Sequence, residues 1–248
     1  ERPVEVAAGT TLFALRDTHR PHADVLVVNG APCQTDQPLT EGDRVALIRR
    51  GETPPPEELE ALMAARHTPG VHARVKAATV GVAGLGGLGS AVAVALARLG
   101  VGRLILADHD VVEPSNLNRQ QFYVEQLGQP KTEALAAHLR RINPYITLEP
   151  HPVRLTPDNV PVVFAAAGVL VEAFDAADQK AMLIGCWRAA RPEAPIVAAS
   201  GLAGHAPANS VRTHRMGPNF YLVGDLATAA APGTGLMAPR VGVAAHHQ

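Results

Sequence analysis

Thr79-Val-Gly-Val-Ala83, then Gly84-Leu-Gly86-Gly87-Leu-Gly89, then an apolar stretch from Leu88 to Leu99 reads as strand, glycine turn and helix. The next strand, Arg103-Leu-Ile-Leu-Ala-Asp108, ends on an acid. Glycines at this spacing let the turn close tightly and let backbone N–H groups and the helix N-terminus approach a phosphate chain, while the acid meets ribose hydroxyls. This points to a nucleotide held on Gly84, Gly86, Gly87, Gly89 and Asp108. The alternative is that the glycines only pack helix against strand. A strand before, a helix after and an acid at the right distance favour the nucleotide.

Outward from this unit the alternation continues, with helix Lys131 to Arg141, strand Gly168-Val-Leu-Val171, helix Asp178 to Ala190 and strand Ile196-Val-Ala-Ala199. Apolar strands alternating with helices predict an α/β fold, a Rossmann-like, mostly parallel sheet with helices on both faces, over residues 77–248. In the other direction, Gly51-Glu-Thr-Pro-Pro-Pro56 is a stiff break that continues neither a strand ladder nor a helix. Residues 51–76 then read as a proline-rich linker with a bridging helix from Glu57 to Arg66. Residues 1–50 read as a small β domain. Val25-Leu-Val-Val28 ends at Asn29-Gly30, Arg44-Val-Ala-Leu-Ile48 follows the turn Thr40-Glu-Gly-Asp43, and a helix from Thr10 to His19 lies between the first strands. The expected order is strand, helix, strand, strand.

Composition removes several classes of function. With 47% hydrophobic and 18% charged residues the chain can bury a full core. The most apolar stretch, Val80 to Leu99, is broken by Gly84, Gly86, Gly87 and Gly89, so no membrane span is expected. A formal charge of -1 gives no basic footprint for nucleic acid. Two cysteines, Cys33 and Cys186, make neither a disulfide framework nor a paired Cys-x-x-Cys zinc site, which suits a reducing, cytoplasmic setting. The chain begins at Glu1 rather than Met, with no signal-peptide pattern after it, as in a trimmed sequence.

The residues after the acid narrow the chemistry. Asp108 and Asp110 are followed by Ser115-Asn-Leu-Asn-Arg-Gln-Gln121 and by Gly128-Gln-Pro-Lys131 at a helix start. Two cations, Arg119 and Lys131, with the amides of Asn116 and Gln120, suit a triphosphate whose charge must be neutralised as a phosphoryl centre is attacked. Taken singly, each cation is equally compatible with a solvated surface charge.

Together these pieces resemble the ubiquitin-activating-enzyme-like adenylyltransferases, the family of ThiF, MoeB and HesA. The resemblance rests on Gly84 to Ser90, on Asp108 through Asp110 to Asn116-Leu-Asn-Arg-Gln120, on the Gly-Gln-Pro-Lys run ending at Lys131, and on Ile142-Asn-Pro144. It covers residues 66 to 248. Val171-Glu-Ala-Phe-Asp175, Ala199-Ser-Gly201 and Gly235-Leu-Met-Ala-Pro-Arg240 look like the ThiF branch, and residues 1–50 are similar to the sulfur carrier ThiS, a β-grasp protein, through Val28-Asn-Gly30 and Leu39-Thr-Glu-Gly-Asp-Arg-Val45. The resemblance implies that Gly84, Gly86 and Gly89 hold phosphates, Asp108 the ribose, and Asn116, Arg119 and Lys131 the triphosphate of ATP. It implies that Asp175 holds Mg²⁺. The same residue also reads as the N-cap of the following helix. An Arg of the partner subunit reaches the nucleotide in the family, and Arg66 is the nearest match, which implies a homodimer.

The implied reaction is ATP-dependent adenylation of the C-terminal glycine of a ThiS-like sulfur carrier protein ending in Gly-Gly, for thiamine thiazole synthesis. Adenylation of a MoaD-like carrier, a NAD-dependent oxidoreductase and a non-catalytic carrier-binding scaffold are the alternatives. The missing Cys-x-x-Cys pairs set the chain apart from relatives that hold zinc, and Cys186, expected inside a helix, reads as a small core residue rather than a thioester former. The ThiS-like region runs on into Arg49-Arg-Gly51-Glu52 and the prolines, so uncleaved it reads as an accessory domain for assembly or docking, or an inert relic.

Overall fold

The computed structural model describes residues 3–248, in two compact units, Glu1–Arg74 and Val75–Gln248. In the first unit, α1 (Leu12–His19) starts at Thr11, whose hydroxyl accepts the Ala14 N–H at 3.3 Å. β1 (Val25–Val28), β2 (Ala31–Cys33) and β3 (Val45–Ile48) form an antiparallel sheet of order β2-β1-β3. The β1–β2 turn is Asn29-Gly30, both at positive φ (51° and 86°), the backbone that matches a two-residue turn to the strand twist. Leu12 of α1 and Leu26 and Val28 of β1 fill a small core.

The expected strand ahead of α1 is absent among the described residues. Both edges of β1 are taken by β2 and β3, and Val4 and Val6 stay exposed outside this sheet. Beyond β3, Arg20 donates to Glu52 at 3.0 Å and to Glu58 at 3.1 Å, tying the proline stretch to the domain it follows. α2 (Pro56–Met63) opens on a proline, whose missing N–H costs nothing there, and ends three residues short of Arg66. α3 (Val71–Lys76) closes the segment.

The second unit alternates strand and helix. β4 (Thr79–Ala83), α4 (Gly87–Leu99), β5 (Arg103–Ala107), α5 (Lys131–Ile142), β6 (Thr147–His151), α6 (Val160–Val163), β7 (Val169–Glu172), α7 (Ala177–Ala190) and β8 (Ile196–Ala199) precede the hairpin β9 (Arg212–Gly217) and β10 (Phe220–Gly224), and α8 (Ala238–His247) is last. The sheet order is β6-β5-β4-β7-β8-β10-β9, parallel throughout except for β9. Because side chains alternate along a strand, Leu104 and Leu106 of β5 face one core with Leu135, Leu139 and Val241, while Ile105 faces another with Phe164, Leu183 and Trp187. Each such fully buried side chain contributes about 1.5–3 kcal/mol. Helices therefore cover both faces, as the sequence predicts.

β6, β9 and β10 escaped the sequence reading, β6 and β9 as edge strands and β10 as an interior strand whose first three residues are only partly buried. Pro150 is tolerated in β6 since an edge N–H has no ladder partner to lose, and Arg212 and Arg215 keep β9 polar on its open side. The chain order reverses between β4 and β7, which opens a crevice at the carboxyl ends of the strands.

Candidate nucleotide-binding site

The glycines of the first turn separate into two kinds. Gly84 has φ +87°, and a Cβ there would lie 2.9 Å from the Ala173 carbonyl oxygen; at Gly89 it would lie 1.8 Å from the carbonyl oxygen of Gly84. These two let β4, β7 and α4 approach one another. At Gly87 a Cβ would meet Val241 at 2.9 Å and the Arg119 stem at 3.4 Å. Gly86 differs, since the nearest atom to its Cβ position is Gln120 Nε2 at 3.9 Å. Gly86 is also the N-cap of α4, with no side-chain cap, so the first-turn N–H groups have no acceptor within the helix. The packing alternative thus describes Gly84 and Gly89, and the phosphate-facing surface centres on Gly86.

Asp108 is buried at the end of β5. Its Oδ2 accepts the Leu85 N–H at 2.6 Å and its Oδ1 the Asp110 N–H at 2.8 Å, fastening the glycine turn to the next strand. A carboxylate has about four acceptor positions, so two remain for ribose hydroxyls. Asn116, also buried, accepts the Glu113 N–H at 3.1 Å and braces the short helical turn that carries Arg119 and Gln120. Arg119 donates only to the Ser115 carbonyl and Asn118 Oδ1 among the described residues, and no acid faces it. Its Nε and Gln120 Oε1 are buried without partners. Unpartnered buried polar atoms are uncommon in folded proteins, and two beside a glycine turn suit a polar ligand.

Lys131 is paired with an acid. Its side chain is 7% exposed, and its ammonium donates to Asp110 Oδ2 at 2.9 Å. Burial pushes the Asp110 carboxyl up, but the hydrogen bond and charge of Lys131, with His109 adding, outweigh it and hold the group below the usual carboxylate range. Asp110 therefore binds the lysine directly. Asp108, His109 and Asp110 bring one ligand atom each within 4.8 Å of one another, a grouping the sequence reading did not single out, yet the two carboxylates are already engaged.

On the other side of the crevice, Asp175 is exposed, two residues past the Ala173 carbonyl that abuts Gly84, with no hydrogen bond or ion pair among the described residues. The N-cap of α7 is Ala176, without a side-chain cap, which corrects the expectation that Asp175 caps this helix. Sequence reasoning also missed Glu172. Fully buried, it accepts Lys180 Nζ at 3.1 and 3.2 Å and the N–H groups of Phe174 and Ala199. Burial raises its pKa against the pull of Lys180 and the two N–H groups. A glutamate at the end of an apolar strand, with a lysine eight residues on, was the available signal. Arg66 is exposed and belongs to the first unit.

Residues 60–221 match the ThiF family model. The chain belongs to the ThiF family. Residues 1–51 match the ThiS-like ubiquitin model. The chain is 35% identical to the molybdopterin-synthase adenylyltransferase of Salmonella typhimurium over 68% of its own length and 69% of that protein, and 41% identical to the sulfur carrier protein adenylyltransferase of Thermus thermophilus over 41% and 38%. It spans between 19% and 69% of the curated relatives it matches. The crystal structure of the Escherichia coli tRNA N6-threonylcarbamoyladenosine dehydratase TcdA in complex with ATP superposes with a TM-score of 0.68 at 24% identity, covering 75% of this chain and 88% of that one, a likeness in fold.

For this ThiF-family crevice, the donor set discriminates between metal positions. A hard divalent cation takes oxygen ligands, and Asp175 offers a carboxylate free of competing cations, whereas Asp110 is matched to Lys131. Among the described residues no helix is long and apolar enough to cross a membrane. Cys186 packs against the core that holds Trp187, as a small apolar residue does.

Proposed function

We propose that this chain adenylates the C-terminal glycine of a ThiS-like sulfur carrier protein ending in Gly-Gly, using ATP, in thiamine thiazole synthesis. The observation that carries the reading is the run of unpaired polar groups on one crevice: the α4 first-turn N–H groups at Gly86, Arg119 without an acid, Gln120 Oε1 without a donor, and the free carboxylate of Asp175. The names of the curated relatives support an adenylyltransferase.

An α-carboxylate with a pKa of about 3.3–3.7 is ionised at neutral pH, so the reaction needs no general base. One carboxylate oxygen attacks the α-phosphorus, the bond to the leaving pyrophosphate breaks, and an acyl-adenylate results. Gly86 and the α4 N-terminus seat the phosphates, Asp108 the ribose. Arg119 stabilises the departing charge, and Lys131 joins it once phosphate competes with the half-exposed Asp110. Asp175 would hold Mg²⁺, which neutralises phosphate charge when bound. The protein works as a homodimer in this reading, with Arg66 of the partner subunit completing the site, in the cytoplasm.

A MoaD-like carrier is the second reading, favoured by the long match to the Salmonella molybdopterin-synthase adenylyltransferase. Incubating the protein with ATP and either carrier, and weighing the carriers by mass spectrometry, decides between them. The ThiS reading predicts an added adenylyl group on the ThiS-like carrier. Adenylation of the MoaD-like carrier alone contradicts it.

A further inference from the structure

Arg240, on the first turn of α8, is 2% exposed, a guanidinium buried far from the nucleotide turn in sequence. Its Nη2 donates to Asp225 Oδ2 at 2.6 Å, and its Nη1 donates to the carbonyls of Ala206 and Pro207 and to Ser210 Oγ, each at 3.0 Å. Asp225 lies just past β10 and also accepts the N–H groups of Ala227 and Thr228 and the Thr228 hydroxyl. Burial opposes its charge, but these donors and Arg240 hold its carboxyl far below the usual range. One guanidinium thus joins three segments: α8, the turn after β10 and the loop that leaves β8.

That loop is held at both ends. At its start, Ser200 donates to the Val223 carbonyl at 2.8 Å, Asp225 donates to Gly201 at 3.1 Å, and a Cβ at Gly224 would lie 1.6 Å from the Ser200 oxygen. At its far end, Arg240 takes two consecutive carbonyls, those of Ala206 and of Pro207, the latter also accepting the Ser210 N–H and hydroxyl. β4, β5, β7, β8 and β10 are mutually parallel, so the glycine turn, Asp108, Asp175, this loop and Asp225 all leave the same edge of the sheet. The glycine turn and the Asp108 cluster occupy the β4–β5 half. The half at β7 and β8, beside Asp175, is left for the second substrate of an open α/β edge. A buried ion pair is weak evidence for stability, whereas fixing one conformation is its better-attested use.

We propose that Arg240 is a positioning residue for the acyl substrate: its pairing with Asp225 holds residues 206–210 as a wall of the half-site that receives the extended C-terminal tail of a carrier. The proposal rests on the adenylyltransferase reading. It is tested by ATP–pyrophosphate exchange with the full chain and a separate ThiS-like carrier, comparing Arg240→Met, Arg240→Lys and the near-isosteric Asp225→Asn. ATP affinity is measured by calorimetry without carrier. The expected result is a rise of about tenfold in the carrier KM for Arg240→Met, with ATP affinity within about twofold. Arg240→Lys recovers part of the loss, because it keeps the charge toward Asp225 but not the fork toward Ala206 and Pro207. A carrier KM that rises while ATP affinity falls with it, in step with melting temperature, would mean general loosening and overturn the proposal, as would an unchanged carrier KM. If the unsubstituted protein shows no carrier-dependent exchange with either carrier type, the adenylyltransferase reading itself fails, and the proposal with it.

Discussion

The two ends of the sheet's carboxyl edge are built in opposite ways. At the β4–β5 end, polar groups are left over: free N–H groups beside Gly86, Arg119 with no acid, Gln120 Oε1 with no donor, and a half-exposed Lys131–Asp110 pair. At the β8–β10 end, Arg240 is buried and Asp225 mostly so, and they hydrogen-bond each other and loop carbonyls, N–H groups and hydroxyls, with the Arg240 Nε left without a partner. Polar groups left over on several residues mark where a ligand goes, and groups paired mostly within the protein mark what holds the walls. Glu172 stands between the two, a buried carboxylate tying the β7 and β8 loops through Phe174 and Ala199.

If that contrast holds, substitutions of the polar groups left over on the crevice should strike activity, and those of groups packed or paired within the protein should strike order. Asp175→Asn is expected to have the largest effect, cutting exchange by about 10²–10³-fold, or about 2.7–4 kcal/mol, with the fold intact by circular dichroism. Next, Gly89→Ala, whose Cβ would meet the Gly84 oxygen, should lower unfolding free energy by about 3 kcal/mol in urea titrations. Gly86→Ala meets nothing closer than 3.9 Å and should leave stability within about 1 kcal/mol while weakening ATP binding. Equal stability losses at the two glycines would erase the distinction between them.

The buried end also carries a pH signature. Asp225 has a depressed folded-state pKa, so its contribution to stability is present above the unfolded value of about 3.9 and is lost as pH falls through the lower folded value. The stability gap between the unsubstituted protein and Asp225→Asn should therefore narrow progressively below about pH 4. A gap that is constant down to pH 2.5, or about that, removes the charge from the explanation. The smallest effect is expected at Asp110→Asn. Its pair with Lys131 is half-exposed on the acid side, so stability should fall by no more than about 1 kcal/mol in the same titration.

The α/β alternation was legible because β4, β5, β7 and β8 are buried on both faces and read as continuous apolar runs. β6 and β9 were not, since an edge strand needs neither continuous apolarity nor every N–H, and neither was the interior β10, whose first three residues are only partly buried. The glycine turn and Asp108 were visible as spacing, but the different duties of Gly84, Gly86 and Gly89 depend on which atoms the fold brings within 3 Å. Lys131 with Asp110, and Arg240 with Asp225, are pairs separated by long loops, so neither partner announces the other in the sequence. The Asp175 capping alternative arose because an acid just before a helix looks the same whether it caps or faces solvent; here the chain turns one residue later, at Ala176.

The central claim, that the surplus polar groups of the β4–β5 end serve ATP-driven activation of a carrier's terminal carboxylate, is tested most directly by ATP–pyrophosphate exchange. The protein is supplied with Mg²⁺, with and without a separate ThiS-like carrier ending in Gly-Gly. Exchange that appears only when the carrier is present is the predicted result. Tight ATP binding with no exchange in the presence of either a ThiS-like or a MoaD-like carrier would contradict it, and would leave a scaffold that holds the nucleotide without using it.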